Sequence, residues 1–229
     1  AKKAVEKEQP AWEFEKTKKQ AWERWNKELS KIKIETSDES SRKIFYTALY
    51  HTMVAPSLFS DVDGAYRGAD GKVYNKSRNV YTTMSLWDTY RAAMPLYHII
   101  HPSKRADLIN TMLDIFDEQG KLPVWHLMGN ETDCMVGNPG VIAVAEAIVK
   151  GIEGIDKERA YKACKASVML DERGQDIRKK YGYIPCDLYE EACANDMEYA
   201  IADAAVANAA RMLGRHEDEK YFNNRSHSW

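Results

Sequence analysis

Apolar residues recur at spacings of three and four along almost the whole chain. Glycine or proline stands near most of the points where the pattern stops, at Gly120, Pro139, Gly151, Gly154, Pro185 and Gly214. A chain punctuated in this way is a series of amphipathic helices with short connections. Residues 11–33 place Trp22, Trp25, Leu29 and Ile32 on one stripe, which is expected to be core. After them Ser37 or Asp38 offers an N-cap, and Ile44, Phe45, Ala48, Leu49, Thr52 and Met53 share a face that leaves His51 exposed or at the core edge. Further helices are predicted at 86–99, 102–118, 140–151, 157–171, 187–212 and 215–227, about eight in all, without βαβ alternation or sustained heptads. Such helix pairs pack as an all-α bundle, a solenoid or an α/α toroid.

One interval breaks the rule. From Pro56 to Thr83 the periodicity disappears into Gly, Asp and Tyr, as in "SLFSDVDGAYRGADGKVYN", which reads as a long loop with a short hairpin around Asp70 and Gly71. Long loops in compact domains tend to be functional.

Charge points to no partner class: 33 basic residues against 35 acidic give a net charge of -2, so no nucleic-acid partner is expected. No apolar run is long enough for a membrane span, and "AKKAVEKEQP" is too charged for a signal-peptide core. Cys134, Cys164, Cys186 and Cys193 form no C-x-x-C pair, which argues against structural zinc. On one helix Cys186 and Cys193 would be separated by ~10.5 Å of rise, beyond the ~7 Å limit for a disulfide. Free buried thiols are expected for all but Cys134.

Three clusters place carboxylates beside aromatic rings: "FSDVDGAYRG" at 59–68 with Phe59 and Asp61, "SLWDTYRAA" at 85–93 with Trp87, Asp88 and Arg91, and "GNETDC" at 129–134 with Glu131, Thr132, Asp133 and Cys134. A sugar presents an apolar face of C–H groups and a rim of hydroxyls, so its reader needs an aromatic face and a carboxylate that accepts from neighbouring hydroxyls. Trp87 and Asp88 supply both, unless Trp87 is core and Asp88 a helix cap. In an extended segment Glu131 and Asp133 would share a face, to serve as sugar clamp, acid/base pair or metal site, with a turn that caps the next helix as the bland alternative. Other motifs fail. "DVDGAYRGADGK" has Ala65, Tyr66 and Lys72 where an EF-hand loop needs ligands and glycine, and Asp61-Val62-Asp63 is a D-x-D without the α/β nucleotide fold usually around it.

Taken together, "IFYTALYHTMVAPSLFSDVDGAYRG", "YTTMSLWDTYRAAMPLYHII", "LPVWHLMGNETDCMVGNPG" and "YGYIP" followed by a helix and "RMLGRHEDEKYFNNRS" resemble the catalytic domain of glycoside hydrolase family 92, in order from about Trp12 to Trp229. These are calcium-dependent exo-acting α-mannosidases. The resemblance implies a partial (α/α)6 toroid, which in the whole enzyme sits behind an N-terminal β-sandwich. It implies hydrolysis of terminal α-mannosidic bonds with inversion, on mannose-containing glycans, in a periplasmic or extracellular setting. The family's Trp-Asp pair falls on Trp87 and Asp88, which would hold the terminal mannose, with Arg91 orienting Asp88 and with Glu131, Thr132, Asp133, Cys134, Asp61 and Phe59 as further contacts. The family's later motifs, E-G-N-x-W-Q-Y, G-N-E-P and G-N-D-D, are absent. They carry the general acid, the base and most calcium ligands, so residues 1–229 are expected to be the N-terminal part of a catalytic domain. Such a segment would be inactive alone and would need the rest of the same enzyme. The competing reading is a non-catalytic helical carbohydrate-binding or scaffold domain.

Overall fold

The computed structural model describes residues 2–227, and there the periodic segments are helices. In chain order these are α1 (Lys2–Glu8), α2 (Phe14–Leu29), α3 (Glu39–His51), α4 (Leu86–Thr89), α5 (Ala93–Ile100), α6 (Pro102–Gln119), α7 (Pro139–Val149), α8 (Lys157–Val168), α9 (Gln175–Tyr181), α10 (Ala192–Met212) and α11 (His216–Arg225). The non-periodic interval holds short strands: β1 (Ser57–Leu58), β2 (Ala65–Arg67), β3 (Val73–Asn75), β4 (Tyr81–Thr82) and β5 (Met84–Ser85). Two more, β6 (Trp125–Leu127) and β7 (Asn130–Glu131), follow α6. β2 and β3 form the hairpin expected around Asp70 and Gly71, with Tyr66 opposite Tyr74.

Helix starts follow the local chemistry. Asp38 caps α3 by accepting from the amides of Ser40 and Ser41, and Asp156 does the same for α8 with Glu158 and Arg159. Pro102 and Pro139 open α6 and α7, where their missing N–H groups have no role in the helix. The core lies among α5, α6, α7, α8, α10 and α11, and Met94, Leu108, Met112, Val144, Tyr161, Val206 and Phe222 are fully buried in it. Each such side chain contributes about 1.5 to 3 kcal/mol by leaving water. α7 lies against α6, α8 and α10, and α10 continues onto α11, so successive helical hairpins stack side by side as in a toroid wall.

Several expectations are corrected. The predicted helix 86–99 is two helices, because the backbone leaves helical geometry at Ala92 (φ -138°). The predicted helix 187–212 starts only at Ala192, and residues 182–191 form a loop. A separate helix α9 follows α8, and α1 was not foreseen. Cys186 and Cys193 are exposed rather than buried, the first on that loop and the second on the outer side of α10. Cys164 is the buried thiol, and burial pushes its pKa up. The tryptophan stripe of α2 is not core: Trp22 is 66% and Trp25 36% exposed, since α2 packs mainly on α3 and no residue of it is buried.

Candidate functional site

Two of the three carboxylate clusters, at 85–93 and 129–134, meet at one small sheet. β5 pairs antiparallel with β6, with Ser85 opposite Trp125 and Met84 opposite His126, and β6 pairs with β7, with His126 opposite Glu131. α4 begins directly after β5, so the turn with Trp87 and Asp88 rises beside the start of β6. Asp88 is exposed and its carboxylate accepts from the Ser85 hydroxyl. Trp87 is half-buried, and its indole Nε1 is buried with no hydrogen-bond partner. A buried N–H without an acceptor costs about 1 to 3 kcal/mol.

The 128–137 segment is built around Glu131. One oxygen of its carboxylate accepts from the Val124 amide at 2.8 Å, and the other from the amides of Trp125 (2.8 Å), Thr132 (2.9 Å) and Asp133 (3.0 Å). This carboxylate is turned onto backbone and is the structural centre of the hairpin, so the reading of Glu131 as a sugar contact is replaced by a positioning role. Asp133 does not share its face: at φ 50° the chain enters the left-handed region there and ends the extended run. Its side chain goes to Lys121 at 2.8 Å and, at 3.7 Å, to Arg173. The Thr132 hydroxyl lies 2.8 Å from the Trp125 carbonyl and 3.2 Å from the Cys134 sulfur, and Thr132, Asp133 and Cys134 are all exposed. Asp133 and Cys134 line a cleft of about 420 Å³, with Arg173, Tyr189 and Asn195 on its other side.

The first cluster splits. Phe59 reaches the hairpin turn, for a Cβ on Gly129 would stand 3.5 Å from its ring and 3.0 Å from the Arg67 carbonyl, at a φ of +78° that favours glycine. Asp61 instead lines a separate hollow of about 330 Å³ with Asp63, Lys76 and Arg78.

Arg91 does not orient Asp88. Its guanidinium pairs with Glu198 of α10 and stacks over the Tyr90 ring at 4.6 Å, with the Trp87 ring at 5.9 Å. Glu198, 7% exposed, also accepts from the Tyr90 hydroxyl at 3.0 Å. Burial, and after it that hydrogen bond, push the Tyr90 pKa up to about 12. Nothing near Trp87 in sequence points to Glu198; the buried face of α10 is the signal that was available. His126, 3% exposed, has both ring nitrogens unpartnered, and burial lowers its pKa against the opposing pull of Glu131.

A divalent cation needs several oxygen ligands on one centre. Among the described residues no three His, Cys, Asp or Glu side chains converge in that way, and Glu131 and Asp133 are committed to amides and cations. The donors present do not make a calcium site by themselves.

Against this geometry the comparisons agree with one another. The profile of the glycosyl hydrolase family 92 catalytic domain matches residues 1–229. A family GH92 α-mannosidase from Bacteroides thetaiotaomicron superposes with a TM-score of 0.94 at 37% identity, over 97% of this chain and 31% of that one. A family GH92 inverting mannosidase from the same organism gives 0.84 at 28% identity, over 91% of this chain and 30% of that one. An "uncharacterized secreted glycosidase" of Arthroderma benhamiae is 25% identical over 99% of this chain and 28% of its own length. The chain thus spans about a third of the length of these relatives.

Proposed function

The chain belongs to glycosyl hydrolase family 92, and on that premise we propose that it forms part of an inverting, calcium-dependent exo-α-mannosidase acting on terminal α-linked mannose in glycans. The observation that carries this reading is the register of β5 with β6, which sets the Trp87–Asp88 turn beside the 128–137 hairpin at one end of the helical wall. There Asp88 offers a carboxylate to two neighbouring hydroxyls and the half-buried Trp87 offers a ring face beside it. Thr132, Asp133 and Cys134 form the rim, and Phe59 supports the turn from below.

In an inverting hydrolysis an acid protonates the leaving oxygen while a base takes a proton from the attacking water, the two carboxyls ~6.5 to 9.5 Å apart. This chain is assigned the grip on the terminal mannose, and the acid and base come from the rest of the enzyme. The calcium ligands are assigned elsewhere too, and no step is routed through the ion here. A periplasmic or extracellular setting accords with the secreted fungal relative.

The complete gene product, assayed on α-mannobiose with and without a calcium chelator, tests the proposal. Mannose release as the β-anomer, lost on chelation and restored by calcium, is the expected outcome. A complete protein that binds mannosides without cleaving them would assign it to carbohydrate recognition alone.

A further inference from the structure

Glu198 is a buried carboxylate whose partners lie more than a hundred residues away in sequence. It pairs with Arg91 and accepts from Tyr90, the residues that follow Asp88 by two and three positions. The turn is seated on the core by buried Leu86 and Tyr90, and Glu198 supplies its charged tie to α10. α4 is four residues long, no side chain caps either α4 or α5, and Ala92 has left helical geometry. The same carboxylate's backbone side abuts the other half of the site. A Cβ on Gly137 would sit 2.3 Å from the Glu198 Cβ, and Gly137 (φ +73°) donates its amide to Asn195, one turn earlier on α10, at 3.0 Å. Arg173 closes the contact by donating to the Gly137 carbonyl at 3.0 Å.

We propose that Glu198 is the positioning residue of the site: from α10 it fixes the turn bearing Trp87 and Asp88 relative to the 128–137 hairpin. The inference goes beyond the mannosidase reading and rests on it only for the catalytic readout. A charged hydrogen-bonding partner is what the role needs. Arg91 is half exposed at the side chain, so in water its pairing alone would be weak, but Glu198 is nearly dry and bonds Tyr90 as well. Losing the charge frees the turn while α10, held by its alanine-rich core face, stays in place.

The test uses E198Q in the complete gene product, which keeps the side-chain shape and removes the charge. Amide hydrogen exchange over residues 86–92 should speed up about tenfold or more, with α7 and α10 protected as before. Catalytic efficiency on α-mannobiose should fall about tenfold or more, and E198Q combined with D88A should be no worse than D88A alone, because both act through one contact. Unchanged exchange at 86–92, faster exchange throughout the domain, or losses that multiply in the double variant would each overturn the assignment. Faster exchange confined to 86–92 in a protein whose wild type releases no mannose would uphold the positioning role and reject the mannosidase reading. Should E198Q fail to fold, Y90F, which removes only the hydroxyl that donates to Glu198, carries the exchange measurement with the same outcomes.

Discussion

The two halves of the site use the same residue types to opposite ends. On the 128–137 hairpin, Glu131 accepts from four backbone amides and Asp133 is set between Lys121 and Arg173. On the 85–91 turn, Asp88 accepts from one serine hydroxyl and otherwise faces water. A carboxylate already surrounded by donors builds the segment around it, and one left with free lone pairs is the one available to a ligand. Composition does not separate the two; the count of partners does.

Replacing Asp88 by Ala in the complete enzyme should break the comparison most severely. Two sugar hydroxyls lose a charged acceptor, and catalytic efficiency on α-mannobiose should fall by about 10³-fold, ~4 kcal/mol, with little change in melting temperature. A loss smaller than tenfold would remove Asp88 from the subsite. Replacing Glu131 by Ala should do the reverse and strike the fold first. Hydrogen bonds to charged groups contribute about 1.5 to 3 kcal/mol each, so denaturant unfolding should show a stability loss of ~3 kcal/mol or more. Stability unchanged within 0.5 kcal/mol or so would return Glu131 to the ligand-contact class.

How far the sequence carries is visible at these same residues. α6, α7 and α8 follow directly from apolar periodicity with proline, glycine and aspartate at their ends, whereas Asp61 of the first cluster lies in a hollow apart from the other two. Periodicity, however, reports that a helix has an apolar side, not what covers it. α2 and α10 both carry such a side, yet α10 is buried along it and α2 is not. The break between α4 and α5 is marked only by Pro95 in the first turn of α5, inside the interval predicted as one helix. Glu131 was misread because its acceptors' partners are main-chain amides, which every sequence possesses. Glu198 was missed because its partner lies 107 residues away.

His126 sharpens the comparison from beneath, since it lies on the strand shared by both halves. Its folded-state pKa lies below the ordinary value near 6.5, so the folded protein favours the neutral ring. Stability from this group is complete above about pH 6.5 and is lost as pH falls towards the folded value, at no more than ~1.4 kcal/mol per pH unit. Unfolding free energies measured from pH 7 down to pH 5 should fall more for the wild type than for H126F, because the wild type alone loses this contribution. Parallel curves would show that His126 does not titrate on unfolding. The smallest effect is expected at Cys134, which is exposed and accepts a hydrogen bond from Thr132. C134S should shift stability by less than about 0.5 kcal/mol, and gross unfolding in circular dichroism would make it a core residue instead.

The pairing of Ser85 with Trp125 leaves two half-buried indoles, Trp125 and Trp87, at the mouth of the site, while Trp12 and Trp22 stand in open water. Their emission should therefore divide by wavelength, bluer light from the sheltered pair and redder light from the wetted ones. Iodide would quench the second group first, and a sugar settling against Trp87 would alter the first. If Trp87 holds the sugar as proposed, that change would report occupancy optically, without any turnover.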